Sequence, residues 1–300
     1  MKKFTIKSIL SESAERLFLM FQDEHRSEAW LEAELLLAGL LKKDRVWIIA
    51  HQDQELNQNL VRIYRKQIQR RLRHEPIAYI LGEQIFCGRV FFVNKHVLIP
   101  RPETEELVFR AVRQMKQLSD LPLVIDIGTG SGAIAVSIKK LFSKSTVLAT
   151  DRSLQAIRTA KKNAKTHNVN IHFLKDNLFS HQLIREIKKR NPKYLFVLAN
   201  LPYLPVSDQK ILDPSVTKFE PRSALFVHGD GTDLIKKCIS QIAAFQRIKK
   251  QPLIAQFEFD PPQADTLMQH ARRQFPNSRL RIYKDFAGRK RFLEIKTKAA

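Results

Sequence analysis

Leu123-Val124-Ile125-Asp126-Ile127-Gly128-Thr129-Gly130-Ser131-Gly132-Ala133 carries the strongest fold signal in the chain. A short, mostly apolar run leads into three alternating glycines, and a helical pattern opens at Ala133. Glycines let the backbone approach a ligand closely, and the free N–H groups of a helix start favour polar or anionic groups. Alone, the loop is a weak signal. Gly128, Gly130 and Ala133 also satisfy the looser dinucleotide fingerprint G-x-G-x-x-A. Val147-Leu148-Ala149-Thr150-Asp151 strengthens it, ending a second strand with a carboxylate 19 residues after Gly132. A carboxylate there can accept both hydroxyls of a ribose, although an ordinary helix cap would look the same. The pair predicts an adenosine-containing cofactor and leaves nicotinamide and S-adenosylmethionine both open. Lys175-Asp176-Asn177-Leu178-Phe179 follows the next strand. Its carboxylate or amide can meet an adenine amino group with Leu178 as an apolar neighbour, or simply form a turn.

Outward from this loop, strands are expected at 123–127, 146–150, 171–174, 195–199, 253–258, 279–283 and 292–295, with helical stretches between most of them. Such alternation predicts an α/β domain, a mostly parallel sheet covered on both faces. Towards the N-terminus, residues up to about Arg73 read as helices. Trp30, Leu31, Ala33, Leu35, Leu36, Leu37 and Leu40 form one apolar stripe, and Leu60, Val61, Ile63, Tyr64, Ile68 and Leu72 a second. Arg62, Arg65, Lys66, Arg70, Arg71 and Arg73 lie between them, either as a docking face for an anionic partner or as a solvated face. His74-Glu75-Pro76 breaks the helix. Gln84–Cys87 and Val90–Val93, around Gly88, read as a hairpin. Val97–Pro102 is extended, and a helix is expected from Glu103 to about Leu118. We therefore expect a helical domain at 1–75, a linker and β-hairpin at 76–97, and the α/β domain at 98–300.

Asn200-Leu201-Pro202-Tyr203 closes the strand Leu195–Ala199 and speaks to the chemistry. A hydride-transfer site usually wants an acid–base residue such as His, Lys or Tyr beside a carbonyl, and this motif offers no strong base. The Asn200 side-chain oxygen and the Leu201 backbone oxygen can each accept one N–H of a planar amino group, and Tyr203 can pack on a flat substrate. An amide nitrogen has its lone pair delocalised, so its methylation needs positioning, which can supply up to ~7–11 kcal/mol of barrier reduction. Water can remove the surplus proton after transfer. The motif thus favours S-adenosylmethionine over nicotinamide.

The 300 residues suffice for one large domain or two smaller ones. A net charge of +22 favours a nucleic acid, a ribonucleoprotein or an acidic protein surface as partner, although a generally basic proteome would give the same value. Cys87 and Cys238 lie in no paired motif, which predicts reduced core thiols in a cytoplasmic protein. The nine histidines show no ligand spacing, so no metal is expected. The N-terminus lacks the apolar run of a signal peptide, and no segment reaches ~18 consecutive apolar residues, so no membrane span is expected.

Taken together, these residues resemble the HemK-type protein N5-glutamine methyltransferases, which include the peptide-chain release factor enzymes. Pro76–Phe86 is similar to the family's segment between helical domain and hairpin. Val97-Leu98-Ile99-Pro100-Arg101-Pro102-Glu103-Thr104-Glu105 is similar to its entry into the catalytic domain and is the most specific signature. Phe219–Leu225, Gly229-Asp230-Gly231 and Asp285–Arg291 are similar to later family segments. The resemblance implies an N-terminal helical bundle that docks a release factor, and a class I S-adenosylmethionine-dependent methyltransferase domain. The latter is Rossmann-like, with a seven-stranded sheet whose last strands form an antiparallel edge. It implies methylation of the glutamine in the release factor's Gly-Gly-Gln loop. Gly128, Thr129, Gly130, Ser131, Gly132, Asp151, Asp176, Asn177, Leu178 and Asn200 would then hold the cofactor. Asn200, Leu201, Pro202 and Tyr203 would be catalytic, and would bind the glutamine together with Arg101 and Glu103. A monomer whose basic surface contacts ribosome or RNA, without membrane attachment, completes the expectation.

There are departures. Leu201 replaces the first proline of the family's Asn-Pro-Pro-Tyr, but a backbone carbonyl does the work there and Pro202 still holds Leu201 extended. Asn177 stands where Asp is common. Glu258-Phe259-Asp260-Pro261-Pro262-Gln263 only partly matches Glu-Ile-Gly…Gln. Asn-Leu-Pro-Tyr is also the form in ribosomal RNA adenine dimethyltransferases, so an rRNA or DNA adenine N6-methyltransferase that stacks adenine on Tyr203 is a rival reading. Those enzymes carry their helical domain after the catalytic one and lack the Arg101–Glu105 segment. A glutamine methyltransferase acting on a ribosomal protein is a nearer rival. A non-catalytic binding module is the third class, against which the intact glycines, Asp151, Asn200 and Tyr203 argue.

Overall fold

The computed structural model describes residues 3–21 and 26–297. It divides into two compact units: one comprises the residues up to Glu83 together with Asp213–Phe219, the other Gln84–Leu212 and the chain from Glu220 onward.

The first unit is helical. A short ribbon, β1 (Phe4–Thr5) with β2 (Glu55–Leu56), accompanies α1 (Ile6–Phe21), α2 (Arg26–Leu41), α3 (Arg45–Ala50), α4 (Gln58–Arg71) and α5 (Ile77–Leu81). Asp44 caps α3 and Asn57 caps α4, each side chain accepting a backbone N–H of the first turn. The apolar stripes meet in one core that includes Leu10, Leu17, Leu36, Leu37, Tyr64 and Ile68. The buried Tyr64 hydroxyl donates to the Ala33 carbonyl at 3.0 Å. Of the basic residues along α4 and just beyond it, Arg65, Arg70 and Arg71 pair with Glu12, Glu75 and Glu32. Of the other three, Arg62 donates to Asn59, and Lys66 and Arg73 are in no ion pair among the described residues.

The second unit opens with the expected hairpin, β3 (Glu83–Phe86) and β4 (Arg89–Phe92). Cys87 and Gly88 both have positive φ, the geometry that a two-residue turn between twisted strands requires. In α6 (Pro102–Met115), Pro102 sits in the first turn, where its missing N–H costs nothing. The helix ends three residues short of the expected Leu118, in a turn at Gln117 and Leu118.

All seven expected strands are present: β5 (Leu123–Ile127), β6 (Thr146–Asp151), β7 (His172–Lys175), β8 (Leu195–Ala199), β11 (Leu253–Glu258), β12 (Arg279–Lys284) and β13 (Lys290–Lys296). A short parallel ribbon, β9 (Leu204–Pro205) with β10 (Phe226–Val227), lies outside the sheet. The sheet order is β12-β13-β11-β8-β5-β6-β7, parallel except where β13 pairs antiparallel with β11 and β12. The remaining helices are α7 (Ala133–Leu141), α8 (Leu154–Thr166), α9 (His181–Arg190), α10 (Pro214–Phe219, in the helical unit), α11 (Arg222–Leu225), α12 (Asp233–Lys249) and α13 (Ala264–Gln274).

Side chains alternate across each strand. Leu123, Ile125 and Ile127 join one layer with α9, α12 and α13, while Val124 joins the other with α6, α7 and the hairpin phenylalanines Phe86 and Phe91. This topology also locates the ligand site. The chain runs outward from β5 through β6 to β7, then returns to lay β8 on the other side of β5. A crevice forms at the carboxyl ends of strands where the order reverses in this way. Ile127 and Ala199 are register partners, so Gly128 and Asn200 leave the sheet side by side.

Candidate active site

One cavity at this switch point is lined by the connections that follow β5, β6, β7 and β8 and by the segment leading into α6. The glycine turn supplies Gly128, Thr129, Gly130 and Ser131. Its backbone is fastened by the N–H groups of Gly128 and Thr129, which both donate to the Thr150 carbonyl, at 2.9 and 2.8 Å. Gly128, Gly130 and Gly132 all have positive φ. At Gly132 a Cβ would lie 3.0 Å from the Ala160 Cβ, so this glycine lets α7 and α8 approach; at Gly130 the space beside the chain is open. Asp126 is wholly buried beneath the turn and accepts the Thr129 hydroxyl at 2.6 Å. Burial pushes its carboxyl up to about 7.

Asp151 projects from the end of β6. One carboxylate oxygen accepts the Gly130 N–H at 3.0 Å, and the other accepts the Ser153 N–H at 2.8 Å. Two fixed donors orient the group and leave lone pairs on both oxygens for a ligand diol. Burial raises its pKa. Beyond β7, the Asp176 carboxylate is engaged by the Ser180 hydroxyl and the Leu183 N–H at the start of α9. Asn177 is exposed on the cavity wall, and its side chain has no partner among the described residues. Of the two candidates for an adenine amino group, Asn177 is therefore the one with a free side chain. Leu178 lines the same wall at φ 58, a left-handed conformation costing a β-carbon residue about 1–3 kcal/mol.

The reaction loop continues β8. Asn200, Leu201 and Pro202 all line the cavity. Asn200 Nδ2 donates to the Thr104 hydroxyl at 2.9 Å, which leaves the amide oxygen for another partner. The buried Leu201 side chain fills the space beside Gly128, where a Cβ would stand 3.0 Å from Leu201 Cδ2. Tyr203 departs from expectation. It is not among the residues lining the cavity; its ring packs against the core, and its hydroxyl donates to Glu258 at 3.3 Å. The Tyr203 carbonyl accepts from Gln263 Nε2 at 2.7 Å, and the same nitrogen donates to the Asp230 carbonyl at 3.0 Å. These contacts make Tyr203 a half-buried anchor of the loop rather than a stacking platform.

Arg101 lines the cavity, but its guanidinium is tied to Glu220. Glu103 is exposed in the first turn of α6 and does not line the cavity. Sequence reasoning missed Thr104, Glu220, Glu258 and Gln263. Glu258 was the most findable: a carboxylate ending an apolar strand, as Asp151 does. Among the described residues, no group of three or more His, Cys, Asp or Glu side chains could hold a metal ion, and no helix is long and apolar enough to cross a membrane.

A seven-stranded, mostly parallel sheet with an antiparallel penultimate strand, and a glycine turn facing an acidic residue across its switch point, define a class I S-adenosylmethionine-dependent methyltransferase. The chain matches the family models "PrmC N-terminal domain" over residues 16–82 and "Methyltransferase small domain" over 112–204. It is 34% identical to the release factor glutamine methyltransferase of Staphylococcus aureus over 264 residues, covering 88% of this chain and 91% of the relative. It is also 34% identical to that of Leptospira interrogans, covering 88% and 90%. Among solved structures, the catalytic domain of hMettl16 in complex with a 3′UTR hairpin aligns with a TM-score of 0.53 at 16% identity, over 74% of this chain and 89% of the other, a likeness of fold alone. The chain belongs to the release factor glutamine methyltransferase family.

The residues present fit the cofactor of that class. Open space beside Gly130, an oriented carboxylate at Asp151 and a free amide at Asn177 match a sulfonium amino acid, a ribose and an adenine in turn.

Proposed function

We propose that this chain transfers a methyl group from S-adenosylmethionine to the side-chain amide nitrogen of the glutamine in the Gly-Gly-Gln motif of peptide-chain release factors. The observation that carries this reading is the Asn200 amide, held by Thr104 beside the glycine turn in one cavity. The activity for which the two bacterial relatives are named supports the same substrate.

When bound, S-adenosylmethionine supplies an electrophilic methyl on its sulfonium. Gly128–Gly132 and Asp151 orient the cofactor, with Asn177 and Leu178 at the adenine end. Asn200 Oδ1 and the Leu201 carbonyl each accept one N–H of the glutamine amide. Two acceptors fix the amide plane and draw electron density onto the nitrogen. Positioning of this kind can supply up to ~7–11 kcal/mol of barrier reduction. The proton becomes acidic after transfer and leaves to water. Pro202 holds Leu201 extended, and Tyr203 anchors the loop from below.

Residues 1–75 serve as the docking domain for the release factor, 76–97 as linker and hairpin, and 98–300 as the catalytic domain, except that 76–83 and Asp213–Phe219 belong to the helical unit. The match of residues 16–82 to a domain model named for this family supports that division of labour. The +22 charge supports an added contact with an anionic ribosomal or RNA surface in the cytoplasm.

The test is methyl transfer from labelled cofactor, offered in parallel to release factor, ribosomal subunits and RNA. Label on the release factor supports the proposal. Label on ribosomal protein or RNA alone contradicts it.

A further inference from the structure

We propose that Glu258, acting through Thr104, is a positioning residue that fixes the polarity of the Asn200 amide so that its oxygen faces the substrate. The inference rests on the reading above, in which Asn200 Oδ1 accepts an N–H of the glutamine amide.

The argument is one of proton counting. Thr104 Oγ1 donates to Glu258 Oε2 at 2.7 Å and accepts from Asn200 Nδ2 at 2.9 Å. Thr104 and Glu258 are both buried, at 4% and 1% exposure. A hydroxyl has one proton, and an ionised carboxylate only accepts. Ionised Glu258 therefore claims the Thr104 proton. Thr104 is left with lone pairs alone toward Asn200, and only the NH2 end of the amide can meet them. The amide oxygen must then point the other way. Protonated Glu258 removes the constraint. It can donate to Thr104, Thr104 can turn its own proton to Asn200, and the amide can reverse. A reversed amide offers N–H to a substrate N–H, which repels the glutamine instead of holding it.

Charged and titratable groups face Glu258 from several elements. The Tyr203 hydroxyl donates to its second oxygen at 3.3 Å, from the reaction loop. Arg291, on β13, favours the ionised form, and Asp285 and Asp260 share that guanidinium. Glu103, on α6, opposes it. Burial outweighs the rest and pushes the Glu258 carboxyl up to about 7. Titration of this carboxyl therefore switches the polarity of Asn200. Glu258 is not among the residues lining the cavity, so it acts on the Asn200 amide through Thr104, with the Tyr203 hydroxyl as its other contact to the reaction loop.

The experiment compares Glu258→Gln, Thr104→Val, Thr104→Ser and Asn200→Ala in the full chain. It measures thermal unfolding, cofactor affinity by calorimetry, and kcat and KM on release factor between about pH 6 and about pH 9. The wild-type kcat should rise with pH through about 7. Glu258→Gln and Thr104→Val should each lower kcat by about 100-fold, the scale of a misplaced reacting group. Both should bind cofactor normally and lose the pH dependence, and Thr104→Ser should restore both rate and profile. Wild-type kcat and an unchanged profile in Glu258→Gln, with Asn200→Ala inactive, would overturn the proposal while leaving the functional reading intact. Lost cofactor binding in both Glu258→Gln and Thr104→Val would also overturn it, by making the role structural. Full turnover in Asn200→Ala would instead remove the functional reading on which it rests.

Discussion

The Arg101 guanidinium donates to the Glu220 carboxylate at 2.5 Å, and the other oxygen of that carboxylate accepts the Ile99 N–H at 3.1 Å. Glu220 thereby ties the approach to α6 to the segment Pro221–Ala224, which lines the same cavity. The Glu220 side chain is 1% exposed, so it relies on both donors. Removing one partner of a buried pair costs about 3–5 kcal/mol. Arg101 is about one-third exposed, which places Arg101→Ala at the lower end of that range. Denaturant unfolding of the full chain should show this loss, with weaker cofactor binding alongside it. Unchanged stability would mean that the pair is incidental.

Gly231 (φ +80) stands against the reaction loop. A Cβ there would lie 2.1 Å from the Tyr203 carbonyl oxygen and 2.5 Å from Gln263 Nε2. Both are parts of the clamp on that loop. Gly231→Ala should therefore displace Tyr203 and lower kcat by about 100-fold. Cofactor affinity should change little, because the glycine turn at 128–132 lies on another connection. Calorimetry with steady-state kinetics separates the two; equal losses in both would refute this account of the clamp.

Asp151→Asn removes the charge while keeping the side chain's size. Hydrogen bonds to charged groups contribute about 1.5–3 kcal/mol, so cofactor affinity should fall roughly 10- to 100-fold. Titration calorimetry reads this directly. An unchanged affinity would reduce Asp151 to a cap for Ser153.

Asp126 links stability to pH. Its folded pKa is raised to about 7 by burial, above its unfolded value of 3.8. The folded state therefore holds the proton more tightly. The resulting stabilisation is full below about pH 4 and is lost as pH rises through about 7. Asp126→Asn keeps an acceptor for the Thr129 hydroxyl and carries no charge. It should flatten the fall in melting temperature over that window and raise stability at pH 8. Glu258 has the same sign, so Glu258→Gln should flatten part of the same slope. A wild-type slope in Asp126→Asn would contradict the assignment.

The fold was legible because its signals are local. The glycine turn, the carboxylate closing β6 and the apolar runs of β5, β8 and β11 each sit within a few residues. Strand ends differed by one residue at β6, β7 and β12 and by up to two at β13; at β6 and β7, Asp151 and Lys175 extend pairing beyond the apolar run. The candidates Asn200, Leu201, Gly128–Ser131, Asp151 and Asp176–Leu178 are short local motifs of the same kind, and they line one cavity. The Thr104–Glu258–Asn200 chain was not legible. Its members are separated by 96 and 154 residues, and only the sheet order brings the ends of β8 and β11 together above α6. Tyr203 was misread because an aromatic beside a candidate site suggests stacking, whereas the core claims its ring. Arg101 was expected to bind the glutamine, and nothing near it in sequence foreshadows its pairing with Glu220.

The central claim is that a glutamine amide nitrogen in the release factor receives the methyl. Fragmentation mass spectrometry of the Gly-Gly-Gln peptide tests it most directly, after incubation of wild-type release factor with enzyme and S-adenosylmethionine. The account predicts one added methyl on that glutamine side chain, absent from a Gly-Gly-Ala release factor and lost with Asn200→Ala. An unmodified glutamine, with cofactor bound and methyl found on another residue or on RNA, would contradict it.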